Sequence, residues 1–187
     1  MIFRIILWLK CLIFSPFYLI YRFYNHNTQR EDLYNWLATL TVCKYKYDFL
    51  SFVKLFATLR EYRSLVLWRA NMEWIPCPRE SVHFVVAPEK IGSGIVLQHG
   101  FSSIIFPESI GENVQIWHNV TIGRKAKGSR NPRIGNNVKI CAGAIVIGDI
   151  IVGDNAIIGA GSVVVKDVPS NTIVVGNPAK PINKKAK

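Results

Sequence analysis

An aliphatic residue returns every sixth position through the C-terminal half of this chain. Ile104, Ile110, Ile116 and Ile122 share one register, and Ile134, Ile140, Val146, Val152, Ile158 and Val164 continue it, the step from Ile122 to Ile134 being two periods. The fourth residue after each is often small or aliphatic too (Val114, Val120, Val138, Ala144, Ile150, Ala156, Ser162, Val168), and glycine often follows directly, as at Gly111, Gly123, Gly135, Gly153 and Gly159. A period of six fits neither a 3.6-residue helix nor a two-residue strand alternation. It fits a parallel β-helix, in which each hexad is one short strand and a turn and three hexads close a triangular coil. The register residue then points inward, where coils stack about 4.8 Å apart. Each such side chain contributes roughly 1.5–3 kcal/mol on burial, so ten in one register suffice for a continuous core, whereas an ordinary Val/Ile-rich β domain has no cause to repeat them.

The solenoid does not fill the chain. At 187 residues, half of them apolar and 19% charged, the sequence holds one good-sized domain or one domain with a helical appendage, and it is not a disordered chain. Residues 29–72 read as helical: Leu33, Trp36, Leu37 and Leu40 follow an i, i+3, i+4, i+7 pattern, as do Phe49, Phe52, Val53 and Phe56, and no Gly or Pro occurs between Tyr18 and Ile75. A linker, Pro76-Cys77-Pro78, ends the helices. The expected fold class is therefore α+β, N-terminal helices followed by a parallel β-helix. The expected organisation is a hydrophobic segment at 1–24, a helical region at 25–75 and a β-helix domain at 80–182.

Residues 1–24 are strongly apolar and aromatic, interrupted by Arg4, Lys10, Pro16 and Arg22. The stretch from Ile5 to Tyr21 carries one charge, at the lower limit of a membrane span. No small-residue cleavage site follows it, and Pro16 should kink a helix there. A monotopic or re-entrant anchor in the cytoplasmic leaflet is the favoured reading; a helix hairpin packed on a partner subunit is the other. The net charge of +11 points to anionic partners rather than to a fold. No nucleic-acid motif is present, so nucleic acid is not an expected partner. The cations gather at Arg124, Lys125, Lys127, Arg130 and Arg133 and in the tail at Lys180, Lys184, Lys185 and Lys187. Cys11, Cys43, Cys77 and Cys141 lack metal-ligand spacing and read as free thiols of a reducing compartment. The four histidines are too dispersed to suggest a metal site.

Several segments together resemble a known family. They are Gly94-Ile95-Val96-Leu97-Gln98-His99-Gly100, Val120-Thr121-Ile122-Gly123, Ile158-Gly159-Ala160-Gly161-Ser162-Val163-Val164 and Val175-Gly176-Asn177-Pro178-Ala179-Lys180. The chain resembles the hexapeptide acyltransferases over residues 91–182, and most closely their serine-acetyltransferase-like branch, which includes O-acetyltransferases found with surface-polysaccharide genes. Glu61-Tyr62-Arg63-Ser64-Leu65-Val66-Leu67-Trp68-Arg69 resembles a segment that the polysaccharide-associated members carry before their solenoid. The resemblance implies a left-handed solenoid, acetyl-CoA as acyl donor with no permanently bound cofactor, and a homotrimer whose active sites lie between subunits.

An acetyl-CoA-dependent O-acetyltransferase needs a base for the attacking hydroxyl, and a histidine titrating near neutrality suits that task. The tetrahedral oxyanion needs a donor, often a backbone N–H. His99 stands where the family carries its catalytic histidine. The repeat supports the choice independently: Leu97 to Ile104 is seven residues rather than six, so one extra residue is expected to bulge beside His99. His118, nineteen residues on, is the second candidate, either binding acceptor or sharing proton traffic; a stacked polar surface residue is the alternative. His83 and His26 receive no role. Glu108 is the acidic residue nearest His99 in sequence and a candidate to orient it.

The resemblance further implies that Ala142-Gly143 and Ala160-Gly161 admit the pantetheine arm of acetyl-CoA and that Lys166 and Lys180 lie near its phosphates. Small residues at these corners also suit tight turns. Two departures from the serine-specific members stand out. Their Asp-Ile-His-Pro stretch is here Phe84-Val85-Val86-Ala87-Pro88, without a carboxylate, and their Arg-His-Pro is Arg130-Asn131-Pro132. The expected function is transfer of acetyl to a sugar hydroxyl of a bacterial surface polysaccharide or its lipid-linked precursor, in the cytoplasm at the inner face of the membrane. Serine O-acetylation is the alternative within the same chemistry, and a non-catalytic solenoid scaffold or binding module is the alternative of another class.

Overall fold

A computed structural model of the chain describes residues 26–39, 49–69, 82–84 and 90–182. Residues 1–24, with the anchor expectation, lie outside the described residues. Among the described residues three helices come first: α1 (His26–Thr39), α2 (Phe49–Thr58) and α3 (Arg60–Arg69). Fourteen short strands follow among the described residues, and thirteen of them stack into three parallel sheets. One sheet orders β1 (Val82–Phe84), β3 (Ser103–Ile105), β6 (Thr121–Gly123), β9 (Ile145–Ile147) and β12 (Val163–Val164). A second orders β4 (Ser109–Ile110), β7 (Arg133–Ile134) and β10 (Ile151–Val152). The third runs through β2 (Val96–Leu97), β5 (Gln115–Ile116), β8 (Lys139–Ile140), β11 (Ile157–Ile158) and β13 (Ile173–Val175) and ends on β14 (Lys180–Ile182), which pairs antiparallel with β13. The architecture is the expected one, helices followed by a left-handed parallel β-helix.

The pairing registers put the six-residue period to work. Leu97, Ile116, Ile140, Ile158 and Val174 align across the third sheet, and Ile122, Val146 and Val164 across the first. All are buried, as are Ile110, Ile134 and Val152 of the second. The companion positions Ile95, Val114, Val120, Val138, Ala144, Ile150, Ala156 and Ser162 are buried too.

One member of the expected register is misplaced. Ile104 is 51% exposed, and Ile105 takes the inward position at 0%, paired with Ile122. The corner after Leu97 therefore carries two extra residues, not one, and the five-residue step from Ile105 to Ile110 takes one back. Side chains alternate along a strand, so a slip of one residue turns Ile104 outward.

Gly92, Gly111 and Gly135 succeed one another along one corner, where coils touch most closely. A Cβ added at Gly92 would lie 2.6 Å from the Gly111 carbonyl carbon, and one at Gly111 would lie 2.7 Å from that of Gly135. Elsewhere the turns use Asn113, Asn119, Asn137, Asn155 and Asn171 in the left-handed region, which asparagine tolerates.

The helices close the open end of the solenoid at β2. Trp36 Nε1 donates to the Ile95 carbonyl at 2.9 Å, and Asn35 Nδ2 donates to the Gly94 carbonyl and to Asn113 Oδ1, each at 2.8 Å. The Ile95 N–H donates to Asp32 Oδ1 at 2.9 Å. Arg69 Nη2 donates to the Gly92 carbonyl at 2.6 Å, and its Nε sits 2.7 Å from Asp32 Oδ2 in a buried ion pair. Burial pushes the Asp32 carboxyl up to about 6, against the lowering pull of Arg69. Trp36, Phe52, Phe56, Tyr62 and Leu65 form the buried interior of this cap. The backbone groups of an edge coil are thus satisfied by the cap. Among the described residues no helix is long and apolar enough to cross a membrane.

Candidate active site

The corner between the third and first sheets gathers most of the expected site residues. In the regular coils it has three residues: Trp117-His118-Asn119, Cys141-Ala142-Gly143 and Gly159-Ala160-Gly161. Backbone hydrogen bonds link them in series. The Asn119 N–H donates to the Phe101 carbonyl at 3.0 Å, the Gly143 N–H to His118 at 3.0 Å and the Gly161 N–H to Ala142 at 2.9 Å. Phe101, His118, Ala142 and Ala160 therefore form one column along the solenoid. The coil that begins it has five corner residues, Gln98 to Ser102, and His99 lies in the added part.

His99 is exposed and left-handed, with φ of 50°. Its carbonyl accepts the Phe101 N–H at 2.7 Å, closing a tight turn around Gly100. Among the described residues nothing hydrogen-bonds its ring. The Phe101 ring stacks on His118, centroids 4.9 Å apart and planes at 16°. His118 is half-buried, and its Nδ1 is buried with no hydrogen-bond partner. Ser103 is buried beneath: its Oγ donates to the Trp117 carbonyl at 3.3 Å and accepts the Val120 N–H at 3.1 Å, pinning the turn that carries His118.

The small residues below His118 leave space. A Cβ added at Gly161 would meet nothing within 4 Å, and one at Gly143 would meet Gly161 only at 3.8 Å. The φ of 70° at Gly143 and 65° at Gly161 explains glycine there, so these corners are an open shelf rather than a tight contact between coils. Cys141 opens one of them as a free thiol, half-buried and pushed up by that burial, which makes it a poor nucleophile.

The two lysines separate. Lys180, exposed in β14, lies opposite Val175 at the far end of the column, where the Ala179 N–H donates to the Val163 carbonyl at 2.8 Å and the Gly176 N–H to Ser162 Oγ at 3.2 Å. Lys166 is exposed on the next corner, two residues past Val164, in the place that Arg124 holds two residues past Ile122. Glu108 is also on that next corner, where Lys90 Nζ reaches its Oε1 at 3.4 Å and its N–H donates to the Pro132 carbonyl at 2.8 Å. It gives His99 no hydrogen bond. His83 aligns by backbone with Ile104. Asn131, where the serine-specific pattern has its second histidine, holds a buried Oδ1 without a hydrogen-bond partner. The basic residues 124–130 form an exposed loop within the double period, folded on a Ser129 Oγ to Ala126 carbonyl bond of 2.8 Å, with Arg124 over Phe106 at 5.6 Å.

Sequence reasoning missed Phe101 and Ser103. The only signal for either was the irregular spacing after Leu97, and one-residue counting assigned Ile104 to the core and left Phe101 unread.

Comparison with known proteins agrees with the fold. The family Bacterial transferase hexapeptide (six repeats) matches residues 131–166. The chain is 41% identical over 150 residues to serine acetyltransferase 1, chloroplastic, of Arabidopsis thaliana, covering 75% of this chain and 48% of that protein. It is 46% identical over 98 residues to the serine acetyltransferase of Helicobacter pylori, covering 51% of this chain and 57% of that one. The chain thus spans about half the length of these curated relatives. Among solved structures, serine acetyltransferase from Neisseria gonorrhoeae superposes with a TM-score of 0.67 at 30% identity, over 86% of this chain and 66% of that one. A serine acetyltransferase in complex with CoA superposes at 0.60 and 26% identity, over 83% of this chain and 68% of that one. The solenoid of this chain is a hexapeptide-repeat β-helix, similar to those of serine acetyltransferases.

Proposed function

We propose that this chain is an O-acetyltransferase that moves the acetyl group of acetyl-CoA to a hydroxyl oxygen. The observation that carries the reading is the column: an exposed histidine thrown out of the repeat at one end, and an open shelf of alanine and glycine corners running away from it. Acetyl-CoA enters as a substrate, its pantetheine arm along Ala142, Gly143, Ala160 and Gly161 and its phosphates toward Lys180 at the end of that column. His99 accepts the hydroxyl proton as the oxygen attacks the thioester carbonyl. The tetrahedral intermediate collapses by breaking the C–S bond, and the proton held on His99 passes to the departing thiolate. No enzyme-bound acyl group is needed, because the thioester is already activated. The assembly in this reading is a homotrimer, with His99 and the CoA shelf contributed by different subunits.

Serine is the acceptor that the comparisons favour over the sugar hydroxyl expected from the sequence, because the relatives described above are named serine acetyltransferases. The sugar reading, a surface polysaccharide or its lipid-linked precursor, is supported by the missing carboxylate across residues 84–88 and by Asn131 in place of histidine. A location at the inner face of the cytoplasmic membrane belongs to that second reading and rests on residues 1–24. Thiol release from acetyl-CoA by the purified full chain, with L-serine and with polysaccharide repeat units, tests both acceptors. Each productive pair should yield an acceptor heavier by one acetyl group. No thiol release with any acceptor would leave the non-catalytic scaffold as the better reading.

A further inference from the structure

Phe101 is a large apolar side chain left 46% exposed immediately beside the proposed base. Three observations fix it there. Its carbonyl accepts the Asn119 N–H, so it holds in its coil the place that His118, Ala142 and Ala160 hold in theirs. Its ring lies nearly parallel to the His118 imidazole, 4.9 Å away. Its own N–H bonds the His99 carbonyl across Gly100 at 2.7 Å, so base and ring leave the backbone from the two ends of one tight turn. Ser103, next but one in sequence, ties the coil of Phe101 to the turn that carries His118. Ile104, 51% exposed on the following strand, adds a second outward apolar side chain.

This arrangement braces the ring without burying it. The two coils beyond His118 turn the same corner with alanine and glycine at Ala142-Gly143 and Ala160-Gly161, so making the turn does not require an aromatic residue. An aromatic face carries negative charge density and attracts the positive edges of C–H bonds. A pyranose presents such C–H groups as a non-polar face while its hydroxyls point outward around the ring. A free amino acid as small as serine has no face to stack, and an aromatic wall desolvates its ammonium and carboxylate without pairing them.

We propose that Phe101 selects the acceptor: braced on His118, its ring is the platform for the non-polar face of a pyranose whose hydroxyl is held at His99. This rests on the acetyl-transfer reading and chooses the sugar between its two acceptors. The test uses the full chain, its Phe101→Ala and Phe101→Trp variants, and four kinds of acceptor: L-serine, the acyclic polyol sorbitol, N-acetyl-D-glucosamine, and the methyl α-pyranosides of glucose, galactose and mannose. Acetyl-CoA thiol release gives kcat and KM, and light scattering gives the oligomeric state. At least one ring acceptor should be used with a lower KM than sorbitol. Phe101→Ala should raise that KM about tenfold, the scale of one well-placed aromatic contact, with kcat within about twofold of the parent. Phe101→Trp should restore it. Turnover of serine with no ring acceptor used would overturn the platform and leave acetyl transfer standing. So would an unchanged KM in Phe101→Ala, or dissociation of the oligomer in that variant, which would make the ring a subunit contact. A failure to release thiol with every acceptor tried would remove the acetyl-transfer reading, and the platform with it.

Discussion

His99 stands in the added part of a corner whose other left-handed residues are Ser102, Asn119, Gly143 and Gly161. Its left-handed φ of 50° is one that asparagine and glycine occupy in the neighbouring turns, and a histidine there signals a side chain aimed by its backbone. His99→Ala should lower acetyl transfer by at least about 100-fold, the usual scale for a lost general base, with the oligomer unchanged by light scattering. Near-normal turnover would remove it from the mechanism. His118→Ala should do less, and should act more on acceptor KM than on kcat, since its ring supports Phe101 from below. If it proves the more damaging change, the two roles are reversed. His99 was legible in the sequence because a polar residue beside a broken period is a local signal. Phe101 was not, because its stacking on His118 depends on which residues of two coils pair.

At the scale of elements, the cap and the solenoid meet through a small polar core. Asp32 and Arg69 lie 37 residues apart in sequence, yet they share an ion pair and between them engage the Gly92 carbonyl and the Ile95 N–H. Burial raises Asp32 to about 6 from an ordinary 3.8, so the folded state binds its proton more tightly than the unfolded chain does. Stability contributed by that proton is complete below about pH 4 and is lost as pH rises through about 6. Thermal unfolding from pH 4 to 8 should show this fall in the parent chain, and the difference from Asp32→Asn should trace it. Parallel pH profiles for the two proteins would show that Asp32 keeps its ordinary titration. The helices were readable from their apolar spacing, but not this docking, because Asp32 and Asn35 look like ordinary solvated positions until the first coil places its N–H and carbonyl groups against them.

For the whole molecule, the six-residue core of the solenoid begins near Ile91 among the described residues, far along the chain from residues 1–24. Deleting those residues should leave the β-helix folded, by circular dichroism, and should move the protein from the membrane to the soluble fraction. The motivation is the run of apolar and aromatic residues in that sequence, since exposed apolar surface of that kind needs a partner, with the basic balance of the chain adding attraction to anionic lipid. Full-length protein that is soluble without detergent, together with a deletion that breaks the oligomer, would instead make the segment a subunit-packing element.

The solenoid itself was determined by sequence alone, because a six-residue period repeats one local geometry and each coil buries its aliphatic residue on the next. Register residues from Ile110 to Val164 follow from counting for the same reason. Counting failed after Leu97, where two inserted residues and one deleted residue nearly cancel, and only the pairing of Ile105 with Ile122 shows which isoleucine is inside. The column of Phe101, His118, Ala142 and Ala160 is likewise a property of stacked coils. Its members are 17, 24 and 18 residues apart in the chain, being 101, 118, 142 and 160. Hydrogen bonds between successive turns, not any spacing in the sequence, make them neighbours.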